Sequence, residues 1–441
     1  MKHVIILGGG MAGLSAAMRL RRHAGALTLL ESSPKFGGRC YSFTPREGWG
    51  EIDNGQHVLM GCCASTLAYL ADCDTADLLD RRRGLALSFV HADGRRARLG
   101  AGSLPHPLGL AQAFLGYGML TLSGRMRILR VAARLRSLSP PRHEALDAQT
   151  VPAWLRALGQ DEESIACFWR PVVLATMNSD IDRASAKLFA TVLREIFLGA
   201  PDGADMLLPR TGLTPLLVDG ALAALREARA DLRLHAPAEE ILHRDGNVIG
   251  VRMKDGDVIE GDAVISAMPP WALQRLTAAS GLEEALGIDF ERFIPSEILS
   301  IHFRSRRDLG LPLMTGLLET RLHWIFDKGG EDGGTHRYSA TISAVPEDLP
   351  RDAESLRRVL IEELRLAVPD LRDDDITDIL PIREKRATFV PMPGMEAARP
   401  AARTSIDGLY LAGDWTATGL PATIESAVRS GFTSAEAVVA R

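Results

Sequence analysis

The sequence predicts an α/β fold, with the pieces of a Rossmann-like domain interleaved with a second, α+β domain. Three observations carry this. A short apolar run at residues 4–7 feeds Gly8-x-Gly10-x-x-Gly13 and then an alanine- and leucine-rich helix at residues 14–20. Strand, tight glycine turn and helix in that order form a dinucleotide-binding unit. A second apolar run, residues 27–30, ends at Glu31, at about the ~20-residue distance where an acid meets ribose hydroxyls. Finally, 441 residues exceed one comfortable core, and buried-strand patterns return at residues 262–270 and 408–414.

The glycines have separate tasks. Gly8 makes the turn, Gly10 lets a pyrophosphate approach the backbone, and Gly13 lets the helix pack closely on the strand. The N–H groups around Met11 and Ala12, at the positive end of the helix dipole, then face the phosphates. A hydrophobic content of 46% and a net charge of −5 describe an ordinary globular protein and exclude a nucleic-acid partner. The five cysteines show no metal-binding spacing and no even framework, so a reducing cytoplasm is expected. Cys62-Cys63 is read as packing, with a redox pair as the alternative. The first apolar run is too short for a secretory leader.

Along the chain, residues 41–61 alternate and include Asp53-Asn54-Gly55-Gln56-His57; residues 66–79 read as a helix. Residues 85–99 read as a hairpin turning at Asp93-Gly94. Residues 108–122 are almost wholly apolar, limited upstream by Pro105 and Pro107, and run into Arg125, Arg127, Arg130, Arg134 and Arg136. The apolar part is shorter than the ~20 residues of a spanning helix. It suits a membrane interface, or else a cap over a hydrophobic cavity. Helices are expected at 151–158, 162–175, 184–198, 214–228 and 355–367. A strand is expected at 232–234 and a hairpin at 241–253. Further strands are expected at 290–303, 317–326 and 338–344, with a solvated turn at 331–334.

Phe36-Gly37-Gly38-Arg39 places a second glycine pair and an arginine just past Glu31 and Ser32. This segment resembles the amine oxidase and phytoene desaturase flavoprotein superfamily. Gly408-Leu409-Tyr410-Leu411-Ala412-Gly413-Asp414-Trp415 resembles that superfamily's C-terminal flavin motif, and Gly419-Leu420-Pro421-Ala422-Thr423-Ile424 resembles the opening of its last helix. The resemblance implies FAD. It also implies cofactor contacts from Glu31, Ser32, Gly37, Gly38, Arg39, Gly55, Gln56, His57, the backbone near Ala238, Gly413, Asp414, Ala422, Thr423 and Ile424. The expected FAD-binding domain comprises residues 1–75, 205–270 and 385–441. The expected substrate domain comprises 76–204 and 271–384, with a hydrophobic helical part at about 104–200.

Within the superfamily, Asp53-Asn54-Gly55-Gln56-His57, Ala175-Thr176-Met177-Asn178 and Leu208-Pro209-Arg210-Thr211-Gly212-Leu213 resemble the hydroxysqualene dehydroxylase family of bacterial hopanoid pathways. So does Gly413-Asp414-Trp415-Thr416 with the segment after it. That resemblance implies reductive loss of an allylic hydroxyl from hydroxysqualene, giving squalene. It also implies contact with upstream squalene-pathway synthases and a peripheral place at the inner face of the cytoplasmic membrane. His57 is the candidate acid, because histidine titrates near neutrality; its alternative is a hydrogen bond to flavin or backbone. Asn178 is a candidate to orient the hydroxyl, and a helix C-cap explains it equally well. Trp415 walls the site or simply packs. Asp53 reads as a structural turn acid. A carotenoid-type desaturase is the alternative function. A flavin amine oxidase fits less well, having an aromatic cage for which only five tyrosines are present.

Overall fold

The computed structural model describes residues 2–45, 48–100, 104, 108–331 and 334–441. The expectations for Pro105, Pro107 and residues 332–333 lie outside the described residues. The first apolar run forms strand His3–Leu7, at the centre of a five-stranded parallel sheet. Its neighbours are Ala26–Leu30 and Ala263–Ser266, with Asp231–Arg233 and Leu409–Leu411 at the edges. Segments far apart in sequence therefore build one sheet; its inner strands and Leu409–Leu411 are buried as their largely apolar runs require, while Asp231–Arg233 forms an exposed edge. Helix Met11–Leu20 packs against the last helix, Ile424–Val439. A Cβ on Gly431 would stand 2.3 Å from the Ala12 carbonyl oxygen, so glycine is what lets the two helices touch.

A second sheet of seven strands lies beyond the first, in the order Ile376–Phe389, Pro295–Ser305, His336–Ser343, Trp324–Gly330, Met314–Leu318, Ala86–His91, Arg96–Gly100. One face packs on helix Ala353–Ala367 through Leu356, Leu360 and Leu364. The other faces a helical lobe that includes Leu108–Leu115, Leu122–Arg136 and Ala186–Leu198.

Several expectations are corrected. The run at 317–326 is two antiparallel strands, because Glu319 turns the chain with φ 61° and the Glu363 carboxylate accepts from the Arg321 and Leu322 N–H groups. The helix expected at 66–79 ends at Asp72, and Leu79–Arg82 pairs instead with Met206–Pro209. The apolar stretch at 108–122 is not one element. It breaks after Leu115, where buried Tyr117 donates its hydroxyl proton to the Cys167 carbonyl. Among the described residues, no helix is long and apolar enough to cross a membrane.

Candidate active site

One cavity of about 1130 Å³ runs between the parallel sheet and the helical lobe. That exceeds the roughly 300–1,000 Å³ usual for one small molecule, so a large cofactor and part of a substrate can share it. At the sheet end it is lined by Gly8, Gly10, Met11, Ala12, Glu31 and Ser32. Gly8 adopts φ 105°, and Gly13 lies beneath, where a Cβ would stand 1.9 Å from the Gly8 carbonyl oxygen. At Gly10 the same Cβ would meet only Gly38 Cα, at 3.8 Å. The helix that follows has neither a side-chain cap nor an acidic residue in its first turn. Its positive end thus opens on free space, which suits a diphosphate.

Glu31 does more than wait for a ribose. Its carboxylate accepts from the Gly9 N–H and the Ser33 N–H, both at 2.8 Å, and so ties the glycine loop to the next strand. Gly9 itself has no room for a side chain, since a Cβ would lie 2.3 Å from the Phe36 ring. The second glycine pair docks directly on the first. The Gly37 N–H donates to the Gly9 carbonyl at 2.8 Å, and Gly37 and Gly38 hold φ 104° and 59°. Ala238 also lines this end, on the edge of the hairpin strand Ala238–Arg244.

The middle of the cavity is organised by Arg39, Asp414 and Arg399. Arg39 donates to the Asp414 carboxylate at 2.8 Å and to the Ala387 carbonyl, so it links both ends of the chain to the long strand Ile376–Phe389. Arg399, whose side chain is fully buried, donates to the carbonyls of Asp414, Trp415 and Leu420. Its partner Glu396 also accepts from the Gly419 N–H. One guanidinium therefore shapes the whole turn from Asp414 to Leu420. Thr423 caps the last helix by accepting from the Ser426 N–H, leaving Ala422, Thr423 and Ile424 on the cavity wall. Trp415 lines the cavity, and its indole N–H donates to the Met268 carbonyl while its ring packs edge-on against Phe293.

Gly55, Gln56 and His57 follow on the cavity wall. Asp53 just before them is spent on structure, accepting from Ser42 Oγ at 2.8 Å and the Leu213 N–H at 2.9 Å. Asn54 donates to the Arg39 carbonyl. Among the described residues the His57 ring makes no hydrogen bond. Its pKa is lowered, first by burial and further by Lys328 and Arg39, with Asp53 opposing. Asn178 also reaches the cavity, but both ends of its amide are occupied. It donates to Thr388 Oγ1 at 2.9 Å and accepts from the Ala344 N–H at 2.7 Å. With φ 46° it ends helix Arg170–Met177 in the left-handed region, so the capping alternative describes it. Cys62 and Cys63 are free thiols facing the cavity.

Beyond His57 the lining turns apolar, with Phe168, Pro171, Val192, Phe197, Met314 and Phe326. Three polar residues here were not anticipated: Glu384, Arg386 and Thr388, on the strand Ile376–Phe389. Alternation around Thr388 was a faint signal, masked by the charged run 383–386.

Fold and site together define a dinucleotide-dependent oxidoreductase with an apolar substrate chamber. Residues 11–439 match the flavin containing amine oxidoreductase family, and the chain belongs to it. A hydroxysqualene dehydroxylase of Rhodopseudomonas palustris is 29% identical, over 100% of this chain and 99% of its own. A 15-cis-phytoene desaturase of Solanum lycopersicum is 24% identical over 99% and 77%. The solved structure of a putrescine oxidase double mutant superposes with a TM-score of 0.73 at 15% identity, covering 100% and 99%. FAD is the cofactor, and the open helix end, the Gly10–Gly38 gap and the cavity volume fit it.

Proposed function

We propose that this enzyme removes the allylic hydroxyl of hydroxysqualene reductively, yielding squalene. The carrying observation is one cavity of about 1130 Å³ that begins at the glycine loop and continues into a largely apolar part lined by Phe168, Val192, Phe197, Met314 and Phe326. The full-length similarity to hydroxysqualene dehydroxylases supports it over the desaturase reading, whose relatives are less similar. Reduced FAD supplies a hydride when bound; the protein must hold the substrate, exclude water and protonate the departing oxygen.

The residues divide accordingly. Gly8, Gly10, Met11, Ala12 and Gly13 accommodate the diphosphate, Gly13 indirectly through helix packing. Glu31, Ser32 and the backbone at Ala238 meet the adenosine. Gly37, Gly38, Arg39, Gly413 and Asp414 hold the middle of the cofactor, and Gly55, Gln56, His57, Ala422, Thr423 and Ile424 surround its ring. His57 is the acid or part of its path. Burial disfavours its cation, so the neutral ring predominates near neutral pH, and His57 serves by relaying a proton it first takes up rather than by storing one. Asn178 positions the helical lobe on the sheet rather than touching the hydroxyl. The cofactor domain comprises residues 1–75, 205–270 and 385–441, and the substrate domain the rest.

We also propose a peripheral membrane contact, with hydrocarbon substrate taken up from the bilayer. Among the described residues, five of the ten exposed large hydrophobics, Leu104, Leu108, Leu115, Leu122 and Met126, cluster on and beside two neighbouring helices. Arg130, Arg134 and Arg136 are exposed near them. Arg125 and Arg127 serve the fold instead, the first donating to the Leu115 and Leu120 carbonyls and the second to Asp161. Incubating the anaerobically reduced enzyme with hydroxysqualene tests the reaction: squalene formation supports it, whereas unchanged substrate beside oxidation of a polyene by the resting enzyme favours a desaturase.

A further inference from the structure

On the cavity side of the seven-stranded sheet, two successive same-face rungs carry polar side chains, between an Ile298–Ser343 rung and an Arg304–Arg337 rung. Ser300 pairs with Thr341, which pairs with Trp324; His302 pairs with Ser339, which pairs with Phe326. Since directly paired residues share a face, these side chains form one patch. Trp324, Thr341 and the adjacent Ser343 line the cavity itself. The patch is deeply buried: His302 and Trp324 are 5% exposed, Ser300 2% and Ser339 0%.

Yet four of its polar atoms are without a partner. His302 Nε2, Trp324 Nε1, Ser339 Oγ and Thr341 Oγ1 are all shut from solvent and have no protein partner. Buried polar atoms are nearly always paired, with protein or with ordered water. Four orphans on two adjoining rungs therefore mark a place built for something polar that is not protein. The other nitrogen of His302 is engaged by the Asp53 backbone. A carbonyl can only accept, so the ring carries its proton on Nδ1 and presents Nε2 as an acceptor. Burial holds the ring neutral, with its pKa pushed down to about 4. The hollow thus offers one fixed acceptor, one fixed donor (the Trp324 indole N–H) and two or three hydroxyls that can turn either way.

The hollow also adjoins the proposed acid. His57 Nε2 and Ser300 Oγ stand 3.6 and 3.8 Å from the point a Cβ on Gly55 would occupy. Asp53 and Lys328 act electrostatically on both His57 and His302.

We propose that Trp324 and Thr341 on the cavity wall, backed by Ser300, His302 and Ser339 behind them, form the subsite that receives the substrate's hydroxyl and keeps its oxygen as water after it leaves. This rests on the dehydroxylase reading. In the step, the C–O bond breaks with its electron pair on oxygen, which takes one proton and becomes water. The carbon gains a hydride and is reduced, the two electrons coming from reduced flavin. An apolar tunnel alone would give a leaving hydroxide no solvation. This patch gives the oxygen a donor at Trp324 and gives its proton an acceptor at His302. Between turnovers ordered water fills the same positions. Because the patch sits at one place on the chamber wall, beside apolar residues such as Phe326 and Met314, it also fixes which carbon of a long chain comes to rest beside the flavin.

The test uses the oxidised holoenzyme, which binds substrate without turning it over. Trp324→Phe and the double variant Ser339→Ala/Thr341→Val remove hydrogen-bonding atoms with little change of shape. Each variant, titrated by its flavin absorbance change, should bind hydroxysqualene roughly tenfold more weakly, the scale of one or two hydrogen bonds, while squalene binds within about twofold of wild type. Equal losses for both ligands, or no loss for either, overturn the subsite. Failure of the dehydroxylase reading shows separately, as reduced wild type that binds hydroxysqualene but forms no squalene. A high-resolution crystal structure gives a second measure: ordered water on His302 Nε2 and Trp324 Nε1 is expected, and a dry hollow refutes the proposal.

Discussion

Gly10 and Gly13 stand three residues apart in one motif, and their replacement by alanine should fail in opposite ways. Gly10 sits at φ −78° and ψ −173°, extended backbone that alanine adopts freely. The added methyl would meet nothing closer than 3.8 Å. Gly10→Ala should therefore fold with a melting temperature close to that of the wild-type apoprotein. The methyl, however, occupies the space a phosphate needs to reach the helix N–H groups. Losing one or two hydrogen bonds to a charged group costs about 1.5–3 kcal/mol each, so FAD should bind at least about tenfold and up to roughly ten-thousandfold more weakly. At Gly13 the methyl would lie 1.9 Å from the Gly8 carbonyl oxygen, which is backbone and cannot rotate away. Overpacking of this kind costs about 1–3 kcal/mol or more, against a gain of about 1 kcal/mol from replacing glycine inside a helix. Gly13→Ala should be destabilised even without FAD. Gel filtration followed by flavin absorbance gives occupancy, and thermal melting of both apoproteins gives stability. A fully yellow Gly10→Ala protein, or a Gly13→Ala apoprotein melting with wild type, refutes the reasoning.

Arg399→Lys should cost about 2–4 kcal/mol and loosen FAD, since an ammonium cannot reach three carbonyls at once; a urea melt unchanged from wild type contradicts it. His57→Ala should slow reoxidation of the reduced flavin by hydroxysqualene by ~10²–10⁴ with FAD occupancy retained, and an unchanged single-turnover rate clears His57 of the chemistry. Reversing Arg130, Arg134 and Arg136 to Glu should weaken binding to anionic vesicles, each arginine contributing about 1 kcal/mol; equal partitioning leaves only a cap over the cavity. His302 and His323 have pKa values lowered to about 4 by burial, so between about pH 6.5 and 4 the unfolded chain binds more protons than the native one. Stability should hold above pH 6.5 and fall as pH drops through that window. His323→Gln should flatten the slope of urea-derived stability against pH, and an identical slope removes this account.

The cofactor half of the fold was legible because few residue types satisfy its geometry. Gly8, Gly13 and Gly37 are demanded by backbone conformation or contact, and buried parallel strands must be apolar throughout. The substrate half was less legible for physical reasons. Strand Ile376–Phe389 carries Arg383, Glu384, Lys385 and Arg386 at a sheet edge, where charge is tolerated and alternation is lost. The turn at Glu319 places a non-glycine residue at positive φ, which composition does not announce. Arg399 lies in a loop with no periodicity, and its role follows only from what folds around it. One clue was available: Leu299, Ile301 and Phe303 alternate with Ser300, His302 and Arg304, a strand with one apolar and one polar face. A polar face inside a hydrocarbon-lined chamber is what the candidate hydroxyl subsite requires.

The most direct measurement is a single turnover under anaerobic conditions, in which the holoenzyme is photoreduced, mixed with one equivalent of hydroxysqualene, and followed by flavin absorbance and product mass. The account predicts that oxidised flavin returns and one squalene forms per enzyme. Reduced flavin that persists beside intact hydroxysqualene, in protein that retains its FAD, contradicts it.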